Sequence, residues 1–124
     1  MGEIRSYRDL KVWQEAMTRV EDCYRFSGEF PREELYGLTS QIRRAAVSIP
    51  ANIAEGYGRN SPGSYIGFLR NAQGSLKELE MHLLLAQRLE FGNYDRAAQL
   101  LKLCESIGRM LVGLDRGVRN SEER

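Results

Sequence analysis

Five polar side chains that could bind a ligand recur along residues 43 to 59 at spacings of four, four, three and four: Arg44, Ser48, Asn52, Glu55 and Arg59. In a helix with about 3.6 residues per turn, these spacings place all five on one polar stripe. The stripe is centred roughly 100° around the helix from the apolar line of the same segment, so it flanks the core. The planar fork of arginine suits phosphate or carboxylate groups, and Glu55 with Asn52 is the one pair that resembles a catalytic pocket.

The polar stripe has two interpretations. In the first, Glu55 bridges to the backbone or to Arg59 one turn later, Asn52 satisfies the backbone carbonyls that the proline at position 50 leaves free, and the stripe is structural. In the second, the stripe lines a groove or the central surface of an oligomer, and nearby basic residues hold phosphates. The candidate nucleic-acid-binding residues are the basic residues of the central segment and the tyrosine that follows its helix: Arg43, Arg44, Arg59, Arg70, Lys77 and Tyr57.

The sequence lacks the residue patterns that most catalytic and metal sites require. His82 is the only histidine, and we expect it to be exposed to solvent or on the bundle surface, so the sequence offers almost no basis for a histidine-based metal cluster or triad. Glu78 and Glu80 are two residues apart and point to different sides of a helix, unlike the ligands of a di-iron bundle. A hydrolase built on Glu55 would require a pocket that encloses this carboxylate. The sequence therefore predicts no enzyme, no metal site and no cofactor.

Positive charge is concentrated in the middle of the chain. The 124 residues carry a net charge of +1, but residues 36 to 77 hold five basic residues and only one acidic residue, Glu55. Cys23 and Cys104 are isolated on apolar helix faces, which is typical of buried, reduced thiols. Without a secretory segment or a long apolar run, the sequence predicts a cytoplasmic protein that does not enter a membrane.

Four amphipathic periods predict four helices. The first follows Leu10, Trp13, Met17, Val20 and Tyr24; the second follows Leu35, Leu38, Ile42, Ala45, Ile49 and Ile53, with Glu33 and Glu34 at its start; the third follows Tyr65, Leu69, Ala72, Leu76, Leu79, Leu83 and Ala86; the fourth follows Ala97, Leu100, Cys104, Ile107, Leu111 and Leu114. Ser61 with Pro62 is suited to begin the third helix, and Asn93 the fourth.

Short connections between these helices predict an all-α, antiparallel, up-down-up-down four-helix bundle. We expect the bundle to span residues 1–118 and the polar tail, residues 119–124, to be frayed. Apolar residues outside the four main periods suggest either a wide core or a second buried surface. A small protein with a second buried surface usually forms a symmetric oligomer.

Pro50 lies inside the second predicted helix. A proline there removes one backbone hydrogen bond and clashes with the preceding turn, at a cost of about 3 kcal/mol in an ordinary helix. We expect a kink at Pro50 that lets the second half of the helix follow the bundle and present the polar stripe at a junction.

Three strings of the sequence resemble a known bacterial family: DLKVWQEA at residues 9–16, FPREELYGLTSQIRRAAVSIPANIAEGYGR at residues 30–59, and FLRNAQGSLKELE at residues 68–80. They are similar to the four-helix-bundle proteins encoded within intervening sequences of large-subunit (23S) ribosomal RNA genes, a group that resembles the accessory protein of diversity-generating retroelements. The resemblance implies a left-handed bundle that assembles into a ring, with a pentamer favoured. The ribosomal-insert branch has no established activity, whereas the retroelement branch binds a reverse transcriptase and nucleic acid through a basic surface.

The sequence and the resemblance together predict a non-enzymatic, oligomeric helical bundle that binds nucleic acid, either RNA or DNA with RNA favoured, as a scaffold or adaptor. The alternative is a protein-protein interaction module that binds no nucleic acid. Salt-sensitive binding to RNA would favour the first hypothesis, and a protein partner that survives nuclease treatment would favour the second.

Overall fold

A computed structural model describes residues 2–122, and these form a four-helix bundle. Its helices are α1 (Lys11–Ser27), α2 (Leu38–Tyr57), α3 (Pro62–Leu89) and α4 (Tyr94–Glu122). Short 3₁₀ turns at Tyr7–Asp9 and Arg32–Glu34 precede α1 and α2. Each helix packs against the next one in the chain, with the most extensive contact between α2 and α3, and α4 packs back against α1. The predicted up-down-up-down arrangement is confirmed.

Local chemistry sets the beginnings of the later helices. Ser61 Oγ accepts a hydrogen bond from the Ser64 amide at 3.1 Å, and Asn93 Oδ1 accepts one from the Arg96 amide at 2.8 Å, as the sequence predicted. Helix α2 begins three residues later than Leu35, because a turn at residues 35–37 separates the 3₁₀ turn from the helix. Glu34 Oε1 then accepts a hydrogen bond from the Leu38 amide at 3.1 Å and satisfies one free donor of the first turn.

The apolar periods of α2, α3 and α4 form the core largely as predicted, whereas that of α1 is rotated. Met17 and Tyr24 are 39% and 45% exposed, and Leu35 ahead of α2 is also exposed. The buried positions of α1 are instead Val12, Ala16, Arg19, Asp22, Cys23, Phe26 and Ser27. Large apolar residues suggested one stripe, while smaller residues and an ion pair occupy the stripe that faces the bundle.

Glycine is required at two close approaches. A Cβ on Gly56 would lie 2.8 Å from Phe68 Cβ, so this glycine lets α2 cross close to α3. Gly92, in the connection between α3 and α4, has a φ of 73°, and a Cβ there would lie 2.7 Å from Phe26 Cε1. Both glycines therefore allow close packing near the ends of the helices that form the core.

The fourth helix runs beyond its predicted end. It continues past Gly117 to Glu122, and residues 123 and 124 lie outside the described residues. The expectation that residues 119–124 are frayed stays a prediction. Val118 is partly buried against the core, and Arg119 Nε lies 2.7 Å from Asp115 Oδ1 one turn earlier. These contacts hold the last turns in place.

Pro50 is buried within α2, which continues from Leu38 to Tyr57 without interruption. The kink that we expect at this residue stays a prediction. Within residues 2–122, no helix has the combination of length and apolar character needed to cross a membrane.

An ion-pair cluster that the sequence did not predict joins α1 to α4. Asp22 Oδ2 accepts a hydrogen bond from Arg19 Nε at 3.0 Å, and Asp22 Oδ1 lies 3.0 Å from Arg96 Nη2 on α4. Arg19 and Asp22 are both buried. Because Asp22 is held by cations from two helices, it fixes the seam between the first and last helices of the bundle.

Candidate nucleic-acid interface

The polar stripe is mostly bonded to itself and to α3. Asn52 Nδ2 donates to the Ser48 carbonyl at 2.8 Å and to Ser48 Oγ at 3.0 Å, and Ser48 Oγ lies 2.8 Å from Ser75 Oγ on α3. Arg59 Nη2 donates to Glu55 Oε1 at 3.1 Å. These contacts fit the structural interpretation of Ser48, Asn52, Glu55 and Arg59.

Two details of that interpretation differ from the expectation. Proline at position 50 leaves the Ala46 carbonyl without its helical donor, but Asn52 binds the carbonyl of Ser48. The Glu55 side chain is 56% exposed, so no pocket encloses its carboxylate.

The six candidate nucleic-acid-binding residues lie in different parts of the bundle. Arg59 packs over the Phe68 ring at 4.7 Å while it pairs with Glu55. Tyr57, also near the end of α2, is partly buried edge-on against Tyr65, with ring centroids 6.1 Å apart. Two further candidates, on α3, have acidic neighbours: Arg70 Nε lies 3.7 Å from Asp115 Oδ2, and Lys77 Nζ lies 3.0 Å from Glu80 Oε1.

Arg43 ties α2 to the end of α1. Its Nε donates to Ser27 Oγ at 2.9 Å, its Nη2 donates to the Tyr24 carbonyl at 3.3 Å, and its guanidinium lies 4.6 Å from the centroid of the Tyr24 ring. Arg44 differs from the other candidates: within residues 2–122 it forms no ion pair with a carboxylate and makes no side-chain hydrogen bond. Arg43 is therefore a structural residue at the edge of a surface on which Arg44 is free.

That surface is an open groove of about 600 Å³ beside the connection between α1 and α2. We call it the aromatic groove, and its lining residues are Tyr24, Leu35, Tyr36, Thr39, Ser40, Arg43, Arg44, Val47 and Ser48. Tyr36 is 92% exposed, so its ring is presented to solvent. The lining holds two arginines and no carboxylate, which makes it locally positive although the chain is nearly neutral.

A second groove of about 320 Å³ lies between α2 and α3. We call it the polar groove, and it is lined by Gln41, Arg44, Ala45, Ser48, Ser75 and Glu78. Arg44 and Ser48 belong to both grooves, so the two form one continuous surface across α2.

Arg43 and Arg44, which are candidates from the sequence, both line the aromatic groove, whereas sequence reasoning did not include Leu35 or Tyr36 in the candidate site. The exposure of Tyr36 could have been predicted from its position directly before Gly37, in the turn that leads into α2. A bulky ring in such a turn has little core to pack against.

A family model described as 23S rRNA-intervening sequence protein matches residues 8–113 of this chain. The chain belongs to that family. No curated protein gives a significant match. The relation to accessory proteins of retroelements stays a prediction.

This member of the 23S rRNA-intervening sequence family shares its bundle with a solved structure. The chain is similar to a crystal structure of a protein with unknown function, from the S23 ribosomal protein family of Bacteroides thetaiotaomicron, with a TM-score of 0.73 and 23% identity. The match covers 84% of this chain and 97% of that chain. It supports the four-helix fold.

His82 of this 23S rRNA-intervening sequence family member is buried, contrary to our expectation of a surface histidine. It is 7% exposed, and neither ring nitrogen has a hydrogen-bond partner. Its Nε2 lies 3.5 Å from Glu78 Oε1, at the rim of the polar groove. In the part of the chain that the structure describes, no three His, Cys, Asp or Glu residues are grouped so that they could hold a metal ion.

Proposed function

We propose that this protein is a non-enzymatic, oligomeric scaffold that binds RNA through the aromatic groove. The observation that carries the proposal is the composition of this groove: two arginines, two tyrosines and three hydroxyl side chains, with no carboxylate. Arginines beside exposed aromatic rings are the combination with which proteins bind unpaired RNA bases.

The two ligand-binding elements of the groove have separate roles. The Tyr36 ring is exposed and can stack on a base, a contact worth about 1–3 kcal/mol in single-strand binding proteins. Arg44 has no acidic partner among the side chains of residues 2–121, so its guanidinium is available for a backbone phosphate. The Arg43 guanidinium lies over the Tyr24 ring and adds to the positive potential.

We expect Arg44→Glu and Tyr36→Ala each to weaken RNA binding by at least about tenfold, because they remove a phosphate contact and a stacking platform. The measurement is fluorescence anisotropy of a labelled RNA hairpin with a single-stranded loop, titrated at low and moderate salt. Arg44 forms no ion pair or side-chain hydrogen bond within residues 2–121 whose loss would confuse the result, whereas reversing the charge of Arg43 would also break the tie between α1 and α2.

Arg116→Glu is the matched control, since it makes the same charge change at an exposed position on α4. It should bind RNA with nearly wild-type affinity. Wild-type protein that does not bind RNA at low salt would contradict the proposal, as would an Arg44→Glu variant that behaves like Arg116→Glu.

A second candidate function, protein-protein interaction, is favoured by an apolar stripe on α3. Met81, Leu84, Leu85 and Leu89 are 50%, 52%, 37% and 49% exposed, and their spacing places them near one another on the helix surface. Two turns earlier on the same side, a Cβ on Gly74 would meet no atom within 4 Å. We propose that another polypeptide covers this stripe, most simply a second copy in the homo-oligomeric ring that the resemblance implies.

We expect the native mass of the wild-type protein to be a multiple of the chain mass, with a pentamer favoured, and Leu84→Glu to shift it toward one chain. A charge in the stripe would have to be desolvated on assembly, which costs more than the apolar contact contributes. Light scattering after size-exclusion chromatography measures the mass. Ile4→Glu, at an apolar residue of similar exposure ahead of the bundle, should leave the assembly unchanged. A wild-type protein of single-chain mass would contradict this assignment.

A further inference from the structure

The polar groove holds a hydrogen-bond donor that the chain itself does not use. Ser48 Oγ and Ser75 Oγ are 2.8 Å apart, and Asn52 Nδ2 donates to Ser48 Oγ. The two hydroxyls carry two protons, and only one proton can lie between the two oxygens. The other has no acceptor among residues 2–122. One hydroxyl donor at the wall of the groove is therefore available to a ligand that accepts hydrogen bonds.

Arg44 adds a positive charge to this donor. It lines the polar groove as well as the aromatic groove, and none of its five N–H donors is used within residues 2–122. The Gln41 amide lies in the same lining and supplies two more donors. A guanidinium together with hydroxyl and amide donors is a combination that binds phosphate oxygens.

Glu78 is the one carboxylate in the lining of the polar groove, and one of its oxygens lies close to the His82 ring. Its Oε1 lies 3.5 Å from Nε2 of the buried, unpartnered imidazole. Glu78 is nevertheless half exposed and lies in the same lining as Arg44. A bound anion would experience its repulsion, so the residue should reduce phosphate affinity. Removing Glu78 should therefore change phosphate affinity in the opposite direction to removing Arg44 or both serine hydroxyls.

We propose that the polar groove is a phosphate subsite, in which Arg44 and the free serine hydroxyl hold the non-bridging oxygens of a phosphate ester. This assignment rests on the proposed function, because the expected source is the backbone of an RNA whose base lies on Tyr36 in the adjoining aromatic groove. A free phosphate group presents the same oxygens, and the experiment separates the two sources.

The first arm measures the affinity of a single-stranded oligoribonucleotide at several salt concentrations. Arg44→Gln should weaken binding at least about tenfold and reduce the slope of log K against log salt by about 0.7. The double variant Ser48→Ala/Ser75→Ala should weaken it about threefold through the lost hydrogen bond, because either serine alone would still offer a free hydroxyl proton. Glu78→Gln should strengthen it about threefold by removing a like charge. Arg116→Gln is the control for charge alone.

The second arm titrates the protein with inorganic phosphate and follows the backbone amide NMR signals of Arg44 and Ser75 together with the guanidinium signal of Arg44. Saturable shifts that are absent in Arg44→Gln are expected if the groove holds phosphate.

The outcomes separate the two claims. RNA binding that falls in Tyr36→Ala, but is unchanged in Ser48→Ala/Ser75→Ala and Glu78→Gln, would overturn the subsite and leave the proposed function standing. No RNA binding, with saturable phosphate shifts, would overturn the proposed function and support a subsite for free phosphate. No response in either arm would overturn both.

Discussion

Asp22→Ala is expected to lower the free energy of unfolding by about 3–5 kcal/mol, the cost typical of breaking a buried ion pair. Asp22 is 9% exposed and Arg19 is 8% exposed, so neither is well hydrated in the folded chain. Without the carboxylate, Arg19 would retain only Glu15, whose Oε1 lies 3.3 Å from its Nη1, and Arg96 would lose its contact across the seam. Urea unfolding followed by circular dichroism measures the change.

Glu21→Ala is the matched control for this loss. Glu21 is the adjacent acidic residue, its side chain is 63% exposed, and its contact with Arg25 is 3.8 Å long. Removing such a surface pair should cost at most about 1 kcal/mol. If Asp22→Ala were no more destabilising than Glu21→Ala, the buried cluster would not stabilise the seam.

A second variant distinguishes an uncompensated charge from the loss of packing. Asp22→Leu combined with Arg19→Met replaces the buried pair with apolar side chains, and such replacements are often neutral or stabilising. We expect the double variant to be more stable than Asp22→Leu alone. The coupling between the two positions would show that most of the cost lies in the unpaired arginine.

The same cluster shows what the sequence could and could not predict about the fold. The periods of α2, α3 and α4 contain one apolar residue per turn, so their buried faces follow directly from spacing. In α1, Trp13 and Tyr24 are larger than Ala16 and Cys23, and a pattern weighted by apolar size selects the wrong stripe. The presence of Arg19 and Asp22 on the buried face depends on Arg96, which is more than 70 residues away in the sequence.

In the candidate site, too, the sequence predicted the contacts that depend on spacing within one helix but not those between helices. The spacing of four between Glu55 and Arg59 predicted their ion pair, because helix geometry alone brings them together. The bond between Ser48 and Ser75 depends on the register between α2 and α3, which Gly56 helps to set by allowing close contact with Phe68. The freedom of Arg44 follows from where the carboxylates of other helices lie. None of these tertiary relations is encoded in the local spacing.

The α1–α4 seam also predicts a loss of stability at alkaline pH. Burial, with a smaller contribution from the neighbouring Asp22 carboxylate, raises the pKa of Cys23 to about 12. Burial, with contributions from Cys23 and Glu80, raises the pKa of Cys104 to about 12 as well. Both thiols are only 1% exposed, so a thiolate at either position would lack solvation in the folded chain.

We expect the free energy of unfolding to fall as the pH rises from about 9 toward 12. The unfolded chain releases these protons near 9.0, the ordinary pKa of a solvated thiol, whereas the folded chain retains them to about 12. The contribution of each thiol is therefore complete below pH 9 and is lost progressively above it, by roughly 2–3 kcal/mol per thiol at pH 11. Urea unfolding at a series of pH values under reducing conditions measures this slope.

The double variant Cys23→Ala/Cys104→Ala tests whether the thiols are the cause. Removing two sulfur atoms should lower the stability near neutral pH by leaving small cavities, yet its stability should fall less steeply than that of the wild type above pH 9. Tyr65→Phe is the comparison, because burial also raises the pKa of Tyr65 to about 12. The ring of Tyr65 is only partly buried, so solvent reduces its contribution and its removal should flatten the alkaline slope less. Equal slopes in the wild type and the double cysteine variant would mean that other groups govern alkaline unfolding, and that the seam between α1 and α4 tolerates a thiolate.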